Sequence, residues 1–190
     1  MNLYFRLIYM LIASFFKEKL PSALSTGSLY FRVLPTDLDL NGHMNNGRYL
    51  TIMDIGRMDF VLRVKLAGHV IKNGYIPVLS SAKMRYRIPL MPFEEYELQT
   101  RILCWDEKWV FMEQRFIIAD GPKAGVAAAI GLIKGSFYDK KTKTTVPTGD
   151  IINAIGHSED SPAMPDYILK WQEAEDVLRD AMAHETAMQS

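Results

Sequence analysis

The chain has 190 residues, 48% of them apolar and 23% charged, which excludes a disordered polymer and leaves length for one ordinary folded domain with some to spare. Lysine plus arginine and aspartate plus glutamate balance at 22 each, so nothing indicates broad nucleic-acid binding. The single cysteine, Cys104, excludes an internal disulfide and the cysteine-rich zinc sites, and it fits a reducing, cytoplasmic compartment.

Residues Leu3 to Phe16 are apolar apart from Arg6, Ser14 and the tyrosine hydroxyls, and Lys17, Glu18 and Lys19 follow. That run is shorter than the roughly 20 residues a membrane span needs, and it lacks the charged start and cleavage site of a secretory signal. Three readings stay open: a helix packed on the domain or a partner subunit, a peripheral membrane contact through residues 1–16, and a signal-anchor. Packing and peripheral contact are the favoured two. Pro21 and the small polar run Ser22 to Ser28 read as a linker, which sets residues 1–27 apart as an N-terminal segment.

Leu29 to Leu34 reads as a first strand ended by Pro35. Tyr49 to Leu66 places Leu50, Met53, Phe60, Val61 and Val64 near helical spacing, with Asn46 as N-cap and Gly68 as stop. Ile76 to Ile88 changes to a period of two, with Lys83, Arg85 and Arg87 on one face and Met84, Tyr86 and Ile88 on the other. Glu95 to Trp105 and Trp109 to Ala119 read as long strands joined by a hairpin at Asp106-Glu-Lys108. After the turn at Asp120-Gly-Pro-Lys123, Ala124 to Tyr138 is a further strand, whose Ala127, Ala128, Ala129 and Gly131 permit close approach by a helix or strand. Asp166 to Met188 reads as a polar, acidic helix, so residues 28–145 form the domain and 146–190 a C-terminal extension. Strand, long helix, then four strands with hairpin-type links make an α+β sandwich.

The segment Thr36-Asp-Leu-Asp-Leu-Asn-Gly-His-Met-Asn-Asn-Gly-Arg-Tyr49 lies between that first strand and the helix. Left unpaired in a core, each neutral polar group would cost about 2–7 kcal/mol, so such a density of them points to a turn or a site. A helix start also leaves backbone N–H groups pointing outward, ready for an anion. The structural alternative is that Asp37, Asp39 and Asn41 cap turns and the helix. Cys104, inside the apolar run Ile102 to Trp105, reads as a small buried hydrophobe rather than a nucleophile. His43, His69, His157 and His184 do not make a ligand spacing, so no metal is expected.

Asp37-Leu-Asp39-Leu-Asn-Gly-His43-Met-Asn-Asn46 followed by Tyr49-Leu50 resembles the hotdog-fold thioesterases, particularly the 4-hydroxybenzoyl-CoA thioesterase-like group and its branch with an apolar N-terminal segment. Asp54-Ile-Gly-Arg57, Pro77-Val78 to Tyr86, Tyr96-Glu-Leu98 and Trp105-Asp-Glu-Lys-Trp109 continue the resemblance over about residues 28 to 140. It implies a hotdog fold: a long central helix wrapped by a curled antiparallel sheet, here with extra N- and C-terminal helices. It further implies a homodimer or dimer of dimers with sites at the interface, an acyl-CoA substrate and no cofactor.

Asp39 matches the family's catalytic aspartate, as general base or nucleophile. Asp37 is assigned a structural part. Asn41 and His43 resemble the Asn-x-His of plant acyl-carrier-protein thioesterases, which makes His43 a rival base oriented by Asp39. The amides of Gly42, Met44, Asn45 and Asn46 are the expected oxyanion donors at the helix start. Tyr49 and Asp54 are pocket candidates, Tyr49 by shape and Asp54 either facing the site or paired with Arg57. Lys83, Arg85 and Arg87 could hold coenzyme A phosphates, against a solvated strand face as the alternative. Met53, Phe60, Ile76 and Trp109 suit either an acyl tunnel or the core. The expected function is acyl-CoA hydrolysis; the alternatives are a non-catalytic acyl-CoA or lipid-binding module, an acyl-carrier-protein thioesterase and, less well matched in spacing, a hydroxyacyl-thioester dehydratase.

Overall fold

Helix α2 (Asn46–Arg63) is the element around which the others are arranged in this computed structural model, which describes residues 2–156 and 160–188. His157 falls outside the described residues. The helix starts because Asn45, not Asn46, is the cap: its side chain accepts the Gly47 N–H at 2.8 Å. It stops five residues before Gly68, where Lys65 takes a left-handed conformation at φ 63°. A second short helix, α3 (Leu66–Asn73), follows and is ended by left-handed Gly74, so Gly68 lies inside a helix rather than ending one.

The strands are β1 (Gly27–Arg32), β2 (Tyr75–Tyr86), β3 (Glu95–Trp105), β4 (Val110–Ile118), β5 (Ala127–Asp139) and the short β6 (Thr144–Val146). All pairings are antiparallel in the order β1-β3-β4-β5-β2, with β6 beside β5. The β3–β4 hairpin stands where the residues placed it. The link from β2 to β3 is no hairpin, because β2 crosses to the far side of the sheet and pairs with β5. Besides α3, two further elements leave no pattern in the sequence: β6, too short to show a period, and α4 (Thr148–Ala154), which packs its Ile151 with Phe60, Val64 and Val146.

The inner face of the sheet holds α2 at close range. Gly131 of β5 leaves the room that Met53 fills, as the small residues of that strand anticipated. On the helix side, a Cβ at Gly56 would stand 2.6 Å from Leu98 Cδ2, 2.8 Å from Gln114 Nε2 and 2.8 Å from Thr100 Oγ1. Gln114 is fully buried there, donating to the Met53 carbonyl at 2.9 Å and to Thr100 Oγ1 at 3.0 Å, and accepting from Arg57 Nη1 at 2.9 Å. Every polar atom of this amide contact is therefore satisfied by geometry that only a glycine at position 56 permits.

Helix α1 (Asn2–Phe16) packs on the domain through Leu3, Leu7, Met10 and Leu11, and its buried Ser14 hydroxyl bonds the Leu11 carbonyl at 2.8 Å. The following residues are tied to α2 by Leu20 N–H to the Arg63 carbonyl at 3.1 Å and Arg63 Nε to the Glu18 carbonyl at 3.0 Å. The stretch read as a linker is thus packed, with Ala23 fully buried. Helix α5 (Asp166–Met188) lies on the outer sheet face, where Ile168 and Trp171 bury Cys104 and Phe111. Burial pushes the Cys104 thiol up to about 11, as fits a packing residue.

Gly56→Ala should destabilise the protein by about 1–3 kcal/mol through overpacking, although alanine favours an isolated helix by about 1 kcal/mol. Urea unfolding of the two proteins measures this, and a stabilised variant would contradict the close approach.

Candidate active site

After β1, Pro35–Asp37 forms one turn of 3-10 helix, and Leu38 bridges Met44 across a tight loop. Three bonds from one residue shape that loop. The Asp39 N–H donates to the His43 carbonyl at 3.0 Å, its carbonyl accepts from Gly42 N–H at 3.1 Å, and its Oδ1 accepts from Asn41 N–H at 2.8 Å. Gly42 turns the tip with φ 75°, a conformation that disfavours other residues. Asp39 Oδ2 is left facing His43, 3.6 Å from Nδ1, while Nδ1 also stands 3.4 Å from the Met44 carbonyl. The Asp39 and His43 side chains are 19% and 30% exposed, so both are held yet reachable from solvent. The loop thus brings Asp39, Asn41 and His43 together at the start of α2. Closing the carboxylate–imidazole gap to a hydrogen bond takes a shift of about half an ångström.

The oxyanion expectation needs correcting. Gly42 donates to Asp39, Met44 N–H to the Leu90 carbonyl at 2.9 Å, and Asn45 N–H to the Asp37 carbonyl at 2.8 Å. These three amides hold the loop and are not available to a substrate oxygen. Asn46, at the first turn of α2, remains the amide to consider, and Tyr86 fixes its position by donating from its hydroxyl to the Asn46 carbonyl at 3.0 Å. Tyr86 was read only as a strand residue; its contact with the helix start depends on the crossover that carries β2 past β5.

Asp37 is a structural hub. Its buried carboxylate accepts from Leu34 N–H at 2.9 Å and from Arg6 Nη2 at 2.6 Å, and Arg48 Nε stands 3.2 Å from its other oxygen. Arg6 went unrecognised, though a lone charge on an otherwise apolar helix does signal a buried partner.

The remaining candidates disperse. Tyr49 is buried edge-on against Tyr86 and Phe116, at 5.1 and 4.8 Å between ring centres. Burial pushes its hydroxyl up to about 12, so it stays protonated and shapes the site by packing. Asp54 is exposed and paired with Arg57, roughly 12 Å along α2 from Asn46 at 1.5 Å per residue, so it does not join Asp39 within one chain. Lys83, Arg85 and Arg87 are exposed, and Lys83 and Arg85 leave β2 on the side opposite Tyr86. Met53 and Phe60 belong to the core, while Trp109 packs on the outer sheet face. An open depression of about 390 Å³ between Met91–Glu94 and Asp120–Lys123 contains none of these side chains. Among the described residues, no three His, Cys, Asp or Glu side chains are grouped to hold a metal ion.

The family model of the thioesterase-like superfamily matches residues 33–172. Protein THEM6 of Xenopus laevis is 32% identical over 140 residues, which cover 73% of this chain and 63% of that protein. A probable thioesterase of Saccharomyces cerevisiae is 29% identical over 124 residues, covering 64% of this chain and 51% of that one. The chain thus spans about half to two thirds of the length of these relatives. Among solved structures, the probable thioesterase YbaW of Escherichia coli shares the fold with a TM-score of 0.62 at 20% identity, over 67% of this chain and 94% of that one.

The two aspartates should separate in stability. Asp37→Ala leaves two guanidinium groups facing an emptied buried position and should cost about 3–5 kcal/mol. Asp39→Ala gives up one turn bond on a partly exposed loop, about 1 kcal/mol. Chemical unfolding of both variants checks the order, and equal losses would contradict these assignments.

Proposed function

We propose, from the premise that the chain belongs to the thioesterase-like superfamily, that it hydrolyses an acyl-CoA to the free acid and coenzyme A. The observation that carries this reading is the Asp39–His43 pair, partly exposed and 3.6 Å apart, beside the start of α2. Asp39 either draws a proton from water as that water attacks the thioester carbonyl or attacks the carbonyl itself. In the second case water then cleaves the mixed anhydride. The oxygen that becomes negative lies toward the positive end of α2, where the Asn46 amide and the helix dipole stabilise it. The bond to sulfur then breaks, and the thiolate of coenzyme A leaves and takes a proton. His43, next to Asp39, supplies that proton or, in the rival assignment, acts as the base with Asp39 orienting its ring.

A second copy of the chain completes the assembly in this reading. The outer edge of β1 is covered, with Arg6 Nη2 donating to the Arg32 carbonyl at 2.9 Å and Lys17 Nζ to the Ser28 carbonyl at 3.4 Å. The outer edge of β2 pairs with no strand among the described residues, and Val78 and Leu79 beside it are exposed. An open apolar edge favours strand addition, and identical copies close it symmetrically. Helix α1 meanwhile turns Tyr4, Phe5, Ile8, Tyr9, Ile12, Phe15 and Phe16 outward, with exposed Lys19 following. No helix among the described residues is long and apolar enough to cross a membrane. An aromatic face with a basic flank suits a helix lying in a lipid surface, the peripheral contact kept open above.

With a panel of acyl-CoAs and a thiol-release assay, Asp39→Asn should lower kcat by at least about 100-fold. An equal loss in His43→Ala places the imidazole in the chemistry, as base or proton donor, and a near-normal rate leaves the chemistry to Asp39. Full activity in Asp39→Asn would overturn the assignment, and binding without release for every substrate would favour the non-catalytic module. The intact protein should sediment with vesicles containing anionic lipid, and Phe5→Glu with Phe15→Glu should abolish this; an intact protein that stays in the supernatant would contradict the membrane contact.

A further inference from the structure

The candidate base stands on a short ladder. Asp37 and Asn45 form its lowest rung, with the Asn45 N–H donating to the Asp37 carbonyl at 2.8 Å. Leu38 bridges Met44 above it, and in the top rung the Asp39 N–H donates to the His43 carbonyl at 3.0 Å. The 3.6 Å between Asp39 Oδ2 and His43 Nδ1 is thus a separation across the two sides of this ladder. One side leads into α2, where Asn45 is the cap that accepts the Gly47 N–H. The other side begins at the Pro35–Asp37 turn, and a single helical turn is not stable by itself.

That turn is held from outside by Arg6. Arg6 stands one turn from Leu3 and from Met10, on the side of α1 that packs into the core. Its Nη2 donates twice, to Asp37 Oδ2 at 2.6 Å and to the Arg32 carbonyl at 2.9 Å, so one nitrogen joins the end of β1 to the turn. The guanidinium is 10% exposed and the carboxylate wholly buried. Leu34 and Arg48, which also contact that carboxylate, lie within residues 34–48, whereas Arg6 comes from 31 residues away. Stability alone is a poor account of this arrangement. Taking a guanidinium and a carboxylate out of water offsets much of their attraction, and apolar residues of similar volume are often as good or better. The guanidinium is also used sparingly. Its Nη1 is buried without a protein partner, and so is the hydroxyl of Tyr96, which lies close enough to feel the charges of Arg6 and Asp37. What the pair supplies is direction, a charged hydrogen bond of fixed geometry aimed at one carboxylate oxygen.

We propose that Arg6 is a positioning residue for the candidate base, and that the seat of α1 on the domain sets the Asp39–His43 separation through Asp37. The inference rests on the reading of the chain as a thioester hydrolase, and it makes α1 a working part of that site. Without Arg6 the Asp37 carboxylate keeps Leu34 and Arg48 and turns toward α2. The lowest rung shifts with it, and the rungs above carry the shift to Asp39. A misplacement of about 1 Å at a reacting group lowers a rate by up to about 100-fold, so a small displacement is enough.

The test compares Arg6→Gln, Arg6→Lys and Met10→Ala in the full chain, at a temperature where circular dichroism shows each to be folded. Arg6→Gln should lower kcat for acyl-CoA hydrolysis by about 10- to 100-fold, with KM within about twofold of the wild-type value. Arg6→Lys should recover most of that loss, because one ammonium can make both bonds that Nη2 makes. Met10→Ala removes packing from the same helix and leaves the Asp37 contacts in place, so it should lower the urea midpoint and keep the wild-type kcat. Amide exchange reads the ladder without catalysis. The Asp39 and Asn45 N–H groups should exchange about tenfold faster in Arg6→Gln and at the wild-type rate in Met10→Ala. A wild-type kcat in Arg6→Gln, or equal losses in Arg6→Gln and Met10→Ala, overturns the proposal. So does unchanged exchange of both amides in Arg6→Gln. A wild-type chain that releases no thiol from any acyl-CoA overturns hydrolysis instead, and faster exchange in Arg6→Gln alone then still assigns Arg6 as the residue that positions the loop.

Discussion

The Asp37 carboxylate decides where three parts of the molecule meet. It is buried, and it is held by Arg6 from α1, by the Leu34 amide from the turn and by Arg48 from α2. Its own carbonyl takes the Asn45 amide, one residue before α2 begins. Charges withdrawn from water are tolerated only with such multiple partners, so the geometry has little freedom. Because Asp39 stands two residues further on, the position of the candidate base follows from this ion pair. The most polar segment of the chain thus contains one aspartate that is buried and holds three parts together, and another that is partly exposed beside His43.

A second constraint works at the other end of the same helix. Gly56 on α2 and Gly131 on β5 let the helix and sheet approach until Met53, Leu98 and the Gln114 amide fill the gap. Burial of this cluster fixes the distance of α2 from the strands, and Tyr86 and Tyr49 then brace its first turn. The start of α2 is consequently a rigid platform. Donors and dipoles aimed at a developing charge contribute most when they need not reorganise during the reaction, which is what the proposed hydrolysis would require of this helix start.

The surfaces follow a division of labour between the two outer strands. Arg6 of α1 and Lys17 just after it occupy carbonyls along β1, while β2 pairs on its outer edge with no strand among the described residues and carries basic residues on its outer face. Helix α1 covers the core with one side and presents aromatic residues with the other. Helix α5 covers the outer face and then runs on past β2. Each of these elements packs on the domain with one side and leaves the other exposed.

Much of the architecture was legible from periodicity. The α1, β3 and α5 segments stand within a residue of their expected limits, because long runs with one clear period leave little choice. The motif around Asp39 and His43 was legible from its residue types and order. Asn45 rather than Asn46 caps α2, because neighbouring asparagines are equivalent until the backbone turns. The amides of Gly42, Met44 and Asn45 looked open as a helix start, yet loop closure engages them with Asp39, Leu90 and Asp37. Partners far apart in the chain, such as Arg6 with Asp37, Tyr86 with Asn46 and Ser81 with Glu175, leave no local pattern at all. The sequence alone therefore determined which long segments are helices and strands and which side chains are candidates for the chemistry, since both depend on near neighbours. Only the tertiary structure decided which aspartate is buried, which amides are engaged and which sheet edge stays open, because each depends on where distant segments come to rest.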